Sequence, residues 1–278
     1  MEAKRRSSTR PSTNRPPPSR NRPPPTDPQN LLLAALPLED YARLAPALEV
    51  IPLTLKEILH KPGEALQHVY FPGRGGFCSL LTVLQDGEMV EVATIGREGM
   101  VGVSAVLDGG RVPSCAMVQA ETATCYRLTV DALRRETDRR GALFDLLTHY
   151  SHALMGFVMQ STACNAVHTV EQRLARWLLL AHDRVGRDEF PLTQEFVAMM
   201  LGAARPTVTV VAGTLQKAGL IKYRHGHVTI VDRQALEQAS CECYLAATGL
   251  LRRAGFGDRA RAAGRRVEAR VPAVAPRT

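Results

Sequence analysis

The stretch LTQEFVAMMLGAARPTVTVVAGTLQKAGLI, residues Leu192–Ile221, predicts two short helices joined by a tight turn. Thr193 is a good N-cap for the first helix, because its hydroxyl oxygen can accept a hydrogen bond from a free backbone N–H. Gly202 provides the turn, since glycine adopts backbone conformations that other residues avoid. Arg205-Pro206 begins the second helix, where proline is tolerated, and Gly219 ends it. This pattern is typical of a helix-turn-helix unit.

A basic hairpin is predicted directly after the second helix. Two short β-rich runs, Leu220–Tyr223 and Val228–Val231, flank the sequence Arg224-His225-Gly226-His227. In a winged helix, a recognition helix of this kind enters the DNA major groove while the hairpin contacts phosphates. The sequence therefore predicts a DNA-binding domain.

Each polar residue of this unit has an expected position on DNA. Arg205 can bond a guanine through two hydrogen bonds, and a threonine methyl group can pack on a thymine methyl group. The alternative for Arg205 is an exposed cation at a helix start. The predicted base-reading residues are Arg205, Thr207 and Thr209, with Pro206 shaping the turn. The predicted backbone contacts are Thr193 and Gln194 on the first helix and Lys222, Arg224, His225 and His227 on the wing.

The N-terminal half of the chain has a different pattern. Between Val50 and Leu128, short alternating apolar and polar runs are separated by glycine-rich turns. Many short strands of this kind favour a β-sandwich or jelly roll. Asp86-Gly87 stands between two such runs and has the chemistry of a two-residue hairpin turn. Together with the helical second half, these strands predict an α+β fold.

A long helix is predicted after the strands, because apolar or small residues recur from Leu143 onward at alternating steps of four and three. Such a heptad seam is typical of helices that pair along their length. We therefore expect a homodimer through this helix, with packing on its own domain as the alternative. Trp177, on the next helix, is expected in the core. The predicted dimer seam is Leu143, Leu147, Tyr150, Leu154, Phe157, Ser161 and Cys164.

The net charge of +8 is concentrated at the two ends of the chain. Residues 1–30 carry a net +5 and residues 250–278 a net +6, so the remainder carries −3. Both ends are rich in Arg, Pro, Ala or Ser, which bury too little apolar surface to fold, and we expect disorder there. These tails could attract phosphates regardless of sequence, or be solvated arms with no dedicated partner.

Five segments follow from these patterns. They are a disordered basic arm (1–29), a strand-rich domain (30–136), a dimerisation helix (137–166), a winged helix-turn-helix domain (167–240) and a mostly disordered Arg-rich tail (241–278). No apolar run approaches the roughly 20 residues that span a bilayer, so we expect a cytoplasmic protein with no membrane partner. The Arg-rich start also resembles an organelle transit peptide, but Pro16–Pro18 disrupts the helix that such peptides use.

The span from Gln29 to Tyr244 resembles the cyclic-AMP receptor and fumarate-nitrate regulator (Crp/Fnr) family of bacterial transcription factors. Thr169–His182 is similar to the helix that opens the family's DNA-binding domain, and Leu192–Ile221 is similar to its helix-turn-helix. The resemblance implies a cyclic-nucleotide-binding-like jelly roll, a long dimerisation helix and a winged helix. It also implies a homodimer on an inverted-repeat operator, RNA polymerase as a further partner and an unidentified small-molecule effector.

The resemblance places a candidate effector pocket in GMVGVSAVLDGGRVPSCAMV, residues 99–118. The family holds cyclic AMP with a Gly-Glu-Leu segment and an Arg-Ser or Arg-Thr pair, the glutamate on the ribose and the arginine on the phosphate. Here Gly102 is retained, but Val103 replaces the glutamate, Pro113-Ser114 replaces the arginine pair, and Arg111 lies two residues early. Burying a phosphate without these partners costs on the order of several kcal/mol, so we expect no cyclic-AMP binding.

Two further departures from the family concern its other sites. The iron–sulfur site of the fumarate-nitrate branch is absent from the sequence, because Leu31–Phe77 contains no cysteine. In the second helix, Pro206 and Val210 stand where the cyclic-AMP receptor has a glutamate and a second arginine, so a different operator is expected.

The sequence only weakly indicates catalytic, metal-binding or redox-active residues. The sequence has no P-loop, nucleophile elbow or Rossmann glycine pattern, so we expect neither an enzyme nor a cofactor. Cys241-Glu242-Cys243 is an incomplete ligand set, and we expect thiols without a metal there. His149 and His152 are expected in a solvated or interface position. The alternative function is a redox or gas sensor on the same fold, using a bound cofactor or the thiols of Cys78, Cys115 or Cys125.

Overall fold

The structure, a computed structural model, describes residues 27–107 and 111–255. Most of the predicted basic arm and the part of the predicted tail beyond Gly255 lie outside these residues. The described strands are β1 Glu49–Leu53, β2 Ile58–His60, β3 His68–Pro72, β4 Phe77–Val83, β5 Met89–Ile95, β6 Cys115–Ala120, β7 Thr122–Thr129, β8 Glu189–Pro191, β9 Ile221–Arg224 and β10 His227–Ile230.

The described helices gather mainly in the second half of the chain. They are α1 Leu31–Ala34, α2 Leu38–Leu44, α3 Ser104–Leu107, α4 Val130–Thr137, α5 Ala142–Val167, α6 Val170–Val185, α7 Gln194–Leu201, α8 Arg205–Lys217, α9 Arg233–Ala239 and α10 Cys243–Arg253. No single helix in the described ranges is long and apolar enough to span a membrane. Among the described helices, only α7 and α8 counted together reach that length and composition, and they are bent by 107°.

Two antiparallel sheets form the N-terminal domain, in agreement with the predicted sandwich. One sheet has the strand order β1-β7-β3 and the other the order β2-β6-β4-β5. Buried side chains from both sheets, including Phe71 on β3 and Phe77 on β4, belong to one apolar core. This sheet domain precedes the long helix α5 and a helical C-terminal domain, which confirms the α+β fold.

The turn between β4 and β5 differs from the predicted two-residue hairpin. The Leu84 N–H donates to the Glu88 carbonyl at 2.8 Å, and the Gly87 N–H donates to the Leu84 carbonyl at 3.0 Å. Gly87 has a φ of +87°, a left-handed conformation that glycine adopts without strain. These bonds enclose a three-residue loop that ends in a glycine bulge. Asp86-Gly87 therefore marks the correct turn, but the predicted loop length was wrong.

Helix α6 lies between the sheet domain and the rest of the C-terminal domain. Thr169 and Gln172 form a reciprocal capping box at its start, and Gly186, at a φ of +71°, ends it. The helix contacts β4 in the sheet domain and α7, α8, α9 and α10 in the C-terminal domain. Trp177 on this helix is 2% exposed, which confirms its predicted place in the core.

Helix α10 shows that residues 243–253, the start of the predicted Arg-rich tail (241–278), are folded. Tyr244, Ala247 and Leu251 lie on one face of the helix and are buried. The Tyr244 hydroxyl donates to Asp183 Oδ2 at 2.8 Å and accepts a hydrogen bond from Arg233 Nη2 at 2.6 Å. The apolar spacing of three and four residues is helical, but it is short and merges into the Arg-rich sequence that follows.

Glu91 on β5 is buried beneath α6. Its carboxylate accepts a hydrogen bond from Trp177 Nε1 at 3.0 Å and another from the Ser79 hydroxyl. Burial raises the pKa of Glu91 from 4.5 to about 7, and these two hydrogen bonds and the nearby arginines only partly oppose that rise. The contact between the sheet and α6 therefore includes a carboxyl group that titrates near neutral pH.

Glu91→Gln should change how stability depends on pH. Because the pKa of Glu91 is higher in the folded protein than in the unfolded chain, its contribution to stability decreases as the pH rises from 4.5 to about 7. Over this interval the free energy of unfolding of the natural protein should fall by up to about 3 kcal/mol relative to that of the glutamine variant. Urea unfolding at a series of pH values measures the difference. Glu121→Gln, at an exposed position, is the control, and equal pH profiles for all three proteins would contradict the assignment.

Candidate nucleic-acid interface

Helix α7 begins and ends as its sequence predicts. The Thr193 hydroxyl oxygen accepts a hydrogen bond from the Phe196 N–H at 3.3 Å, which caps the first turn. The helix ends at Gly202, which has a φ of +54°. A Cβ atom at Gly202 would lie 3.2 Å from Val90 Cγ2 on β5. Gly202 therefore forms the turn and also allows the helix pair to approach the sheet domain closely.

Helix α8 packs through Val208, Ala212 and Leu215, all of which are buried. Its first turn faces outward: Arg205, Pro206, Thr207 and Thr209 are all exposed. The structure therefore brings together the four residues predicted to read bases or shape the turn, at the exposed start of one helix. Such a helix start is the part of a recognition helix that reaches base edges.

One contact joins the two helices at this surface. The Thr209 hydroxyl lies 2.8 Å from Gln194 Oε1 and 3.1 Å from the Arg205 carbonyl oxygen. A hydroxyl has a single proton, so it donates to one of these acceptors at a time. The shorter of the two contacts, to Gln194, holds that side chain against α8, although the sequence places Gln194 and Thr209 on separate helices. The sequence predicts both residues but not their contact.

The wing is a hairpin of β9 and β10, and β8 extends the sheet in the order β8-β10-β9. His225 and Gly226 have φ values of +48° and +76°, so both central residues of the turn are left-handed. This is the backbone of a type I′ two-residue hairpin. The predicted wing contacts Lys222, Arg224, His225 and His227 are all exposed.

Tyr223 joins the wing to α8 and to the segment that leads into α7. Its hydroxyl donates to the Leu192 carbonyl at 2.5 Å, and its backbone N–H donates to Gln216 Oε1 at 2.7 Å. The Leu192 N–H in turn donates to the Gly226 carbonyl at 2.7 Å. The position of the wing relative to α7 and α8 is thus set by hydrogen bonds between elements, which the sequence does not predict.

The candidate effector residues contact different parts of the sheet domain. Gly102 is buried at a φ of +93°, where a Cβ atom would lie 3.2 Å from Val69 Cγ1. Val103 is half-buried. Arg111 is exposed, and its Nη1 donates to the Gly63 carbonyl at 2.6 Å. The Ser114 carbonyl oxygen lies 3.0 Å from His60 Nδ1. The guanidinium of Arg111 is therefore engaged at the surface of the sheet domain.

The three thiols proposed for redox sensing are buried, which argues against that role. Burial raises the pKa of Cys78, Cys115 and Cys125 above the ordinary value of 9.0. A thiol with a raised pKa carries little thiolate at neutral pH, and the thiolate is the reactive form. These side chains are therefore core residues of the sheet domain.

The predicted dimer seam is wrong. Its seven residues are buried within the protomer, none more than 7% exposed, so they have no surface to offer a partner. Tyr150, for example, donates to the Met100 carbonyl at 3.3 Å. The heptad spacing reflects packing of α5 on its own domain, the alternative to pairing. The opposite side of α5 carries a second stripe, all of it exposed, at Thr148, His152, Met155, Met159, Thr162 and Ala166.

The structure also assembles four residues that the sequence does not connect. The ligand atoms of Cys164, His168, Cys241 and Cys243 all lie within 4.8 Å of one another. Cys164 is predicted in the dimer seam, and Cys241-Glu242-Cys243 is predicted to lack a complete ligand set. The missed signal is the spacing Cys164-x-x-x-His168, which places two ligands one helical turn apart.

Comparisons with known proteins agree with this geometry. Residues 172–239 match the Crp-like helix-turn-helix domain family. The transcriptional regulator SdrP of Thermus thermophilus is 27% identical over 169 residues, which are 59% of this chain and 79% of the relative.

Two solved structures show the shared fold. A CRP-family transcriptional regulator from Thermus thermophilus has a TM-score of 0.56 at 21% identity, over 68% of this chain and 95% of its own. FixK2 from Bradyrhizobium japonicum has a TM-score of 0.59 at 16% identity, over 69% of this chain and 96% of its own. The likeness extends over both the sheet domain and the helical C-terminal domain, because it covers nearly the full length of both solved proteins.

Two glycine-to-alanine changes in the interface should have opposite effects on stability. Gly226→Ala places a Cβ atom in a left-handed conformation and should destabilise the protein by about 1 kcal/mol. Gly213→Ala lies inside α8, where a Cβ atom would have no neighbour within 4 Å, and should stabilise it by about 0.5 to 1 kcal/mol. The midpoints of thermal unfolding of the two variants, compared with that of the natural protein, test these two predictions. A Gly226→Ala variant as stable as the natural protein would show that the wing turn is misassigned, and a destabilised Gly213→Ala variant would contradict the open space on α8.

Proposed function

Since this chain is a Crp/Fnr-type transcriptional regulator with a helix-turn-helix DNA-binding domain, we propose that it reads an inverted-repeat operator as a homodimer. The observation that carries this proposal is the exposed start of α8 beside the basic wing. Arg205 and Thr207 lie at the outer end of the helix, and Lys222 and Arg224 lie on the adjacent hairpin. A helix end and a hairpin so placed can contact base edges and phosphates together.

The base-reading role falls to Arg205 and the threonines. An exposed arginine at a helix start can bond the O6 and N7 atoms of a guanine, and Thr207 can pack on a thymine methyl group. Thr209 and Gln194 enter the DNA contact already bonded to each other. Holding these side chains in place before binding lowers the entropy lost when the complex forms.

The phosphate-contacting role falls to the wing and the start of α7. Lys222 and Arg224 are cations on a hairpin whose position is fixed by Tyr223. The exposed N-cap of α7 at Thr193 presents free backbone N–H groups, which favour an anion. Contacts of this kind position a protein on DNA without reading its sequence.

The dimer contact is the exposed stripe of α5. Met155 and Met159 are 51% and 62% exposed, so this stripe carries two large apolar side chains that no described residue of the protomer fully covers. The stripe alternates steps of four and three residues, the spacing at which two helices can pair. The stripe is exposed in the protomer, so the same helix of a second protomer can reach it.

Effector control is proposed to reach the DNA-binding domain through the contact between β5 and the helix-turn-helix. Gly202 packs on Val90, Trp177 bonds Glu91, and Arg173 donates to the Leu201 carbonyl. The effector is not cyclic AMP in this proposal, because Val103 supplies no carboxylate and Arg111 is engaged with Gly63. Sensing by Cys78, Cys115 or Cys125 is not favoured, because these thiols are buried.

Arg205→Ala should weaken and broaden operator recognition. The two half-sites should lie about one helical turn, near 34 Å, apart. Loss of a bidentate contact should cost roughly 1 to 3 kcal/mol per half-site and relax the base preference at one symmetric position. Selection from a random DNA library measures the preference of each variant.

Lys222→Ala and Arg224→Ala are the matched controls for Arg205→Ala. Each should weaken binding to all DNA sequences alike. Each should also reduce the slope of log binding constant against log salt concentration by about one per lost phosphate contact. If Arg205→Ala keeps the parental preference while a wing variant changes it, α8 is not the base-reading element.

Met155→Asp and Met159→Asp should convert the dimer to monomers without unfolding them. Each places a charge in the proposed contact, where it would be buried without a partner, while the protomer core is left intact. Light scattering at low micromolar concentration measures the mass, and circular dichroism checks the fold. Leu38→Asp, at a 79%-exposed apolar position on α2, is the control and should stay dimeric. Two fully dimeric methionine variants would contradict this interface.

A further inference from the structure

Three cysteines and one histidine meet where α5 ends and α10 begins. Cys164 lies in the last turn of α5 and His168 caps that helix, while Cys241 and Cys243 lie at the start of α10. The Cys164 and Cys241 Sγ atoms are 3.5 Å apart, and Cys243 Sγ is 3.5 Å from His168 Nδ1. All four ligand atoms lie within 4.8 Å of one another.

These distances fit a single tetrahedral metal ion. Zinc binds thiolate sulfur at about 2.3 Å and imidazole nitrogen at about 2.0 to 2.1 Å. A tetrahedron with those bonds separates two sulfurs by about 3.8 Å, and a sulfur from a nitrogen by about 3.5 Å. A cluster of several irons would need its ligands farther apart, because they bind different iron atoms.

The surrounding side chains provide the hydrogen bonds that metal ligands usually receive. His168 Nε2 lies 3.3 Å from Glu242 Oε2, which leaves Nδ1 free to bind a metal. A carboxylate on the far nitrogen of a ligating histidine fixes its tautomer and its orientation. Gln160 Nε2 donates to Cys243 Sγ at 3.0 Å, a bond that favours a thiolate.

Two buried arginines lie near enough to interact electrostatically with this cluster. Arg173 and Arg176 on α6 are 8% and 5% exposed, and both interact with Cys164. The Nε atoms of both have no hydrogen-bond partner among the described residues. A divalent ion with three thiolates and a neutral imidazole carries one net negative charge. That charge would help to offset the cost of burying the two guanidinium groups.

We infer that Cys164, His168, Cys241 and Cys243 form a site for one Zn²⁺ ion. Four protein ligands fill a tetrahedral coordination shell, so the site has no open position for catalysis and belongs to the structural type. On binding, each thiol releases its proton to solvent and its sulfur forms a bond to the metal, with no change of oxidation state. The ion would tie α10 to the end of α5.

The metal content of the full-length protein, purified under reducing conditions without a polyhistidine tag, tests this inference. Mass spectrometry of the elements should find one zinc ion per chain. Cys241→Ser and Cys243→Ser should lose it, whereas Cys115→Ser, a buried cysteine outside the cluster, should keep it. Cobalt added to the metal-free protein should give thiolate charge-transfer and tetrahedral d–d absorption bands, and these should be missing from Cys241→Ser.

Two further substitutions separate metal binding from packing. His168→Cys supplies a fourth thiolate and should retain zinc, whereas His168→Gln should lose it. Glu242→Gln should weaken zinc about 10- to 100-fold in competition with a chelator, as expected for a partner of a ligating histidine. Glu189→Gln, an exposed acid on β8, is the control and should leave the affinity unchanged.

Several results would overturn the inference. One is a folded natural protein, by circular dichroism, that holds no zinc and gives no cobalt spectrum. Another is zinc that remains in the cysteine variants at the natural level. Iron with acid-labile sulfide would show a different centre, and a Cys164–Cys241 disulfide in metal-free protein would show a thiol pair instead. None of these results depends on DNA binding, so the proposed operator recognition is tested separately.

Discussion

The burial of α6 on all sides is the constraint on which the rest of the structure depends. Trp177 bonds Glu91 of the sheet domain, Arg173 donates to the carbonyl at the end of α7, and Arg233 of α9 bonds His182. Each of these contacts joins α6 to a different element. Because these bonds all start from one helix, a shift of α6 would break several of them together. The helix-turn-helix and the sheet domain are therefore positioned relative to each other by one helix.

Helix α5 shows where sequence periodicity stops being informative. Its apolar residues recur at steps of four and three along two opposite faces, one centred on Leu147 and Phe157 and the other on Met155 and Met159. Periodicity identifies a helix and the spacing of its faces, but it does not say which partner covers each face. The more apolar face lies against the chain's own sheet domain and α10, since burial within one chain needs no second molecule. The less apolar face remains exposed, and it is the one that a twin helix can cover.

The DNA-binding unit was predicted almost completely, because its signals are local. Thr193 as a cap, Gly202 as a turn and Gly219 as a helix end each depend on a few neighbouring residues. The contacts that hold the unit together are not local: Tyr223 bonds Leu192, 31 residues away, and Thr209 bonds Gln194, 15 residues away. Residue type and spacing place side chains on elements, whereas contacts between elements depend on how those elements pack.

The cysteine cluster could not be predicted from the sequence, because it too depends on contacts between elements. Cys164 and Cys241 are 77 residues apart, and only the packing of α10 on α5 brings their sulfurs to 3.5 Å. That packing requires α10 to be folded, and Arg233 and Tyr244 anchor it to Asp183 on α6. A four-ligand site at this point would link α5 to the chain that follows the DNA-binding domain. Because the end of α5 leads into that domain and the start of α10 leads out of it, a link between them would restrict how far the domain can rotate away from α5. In the proposed dimer, the spacing of the two recognition helices on DNA would then depend on ligands that contact no DNA.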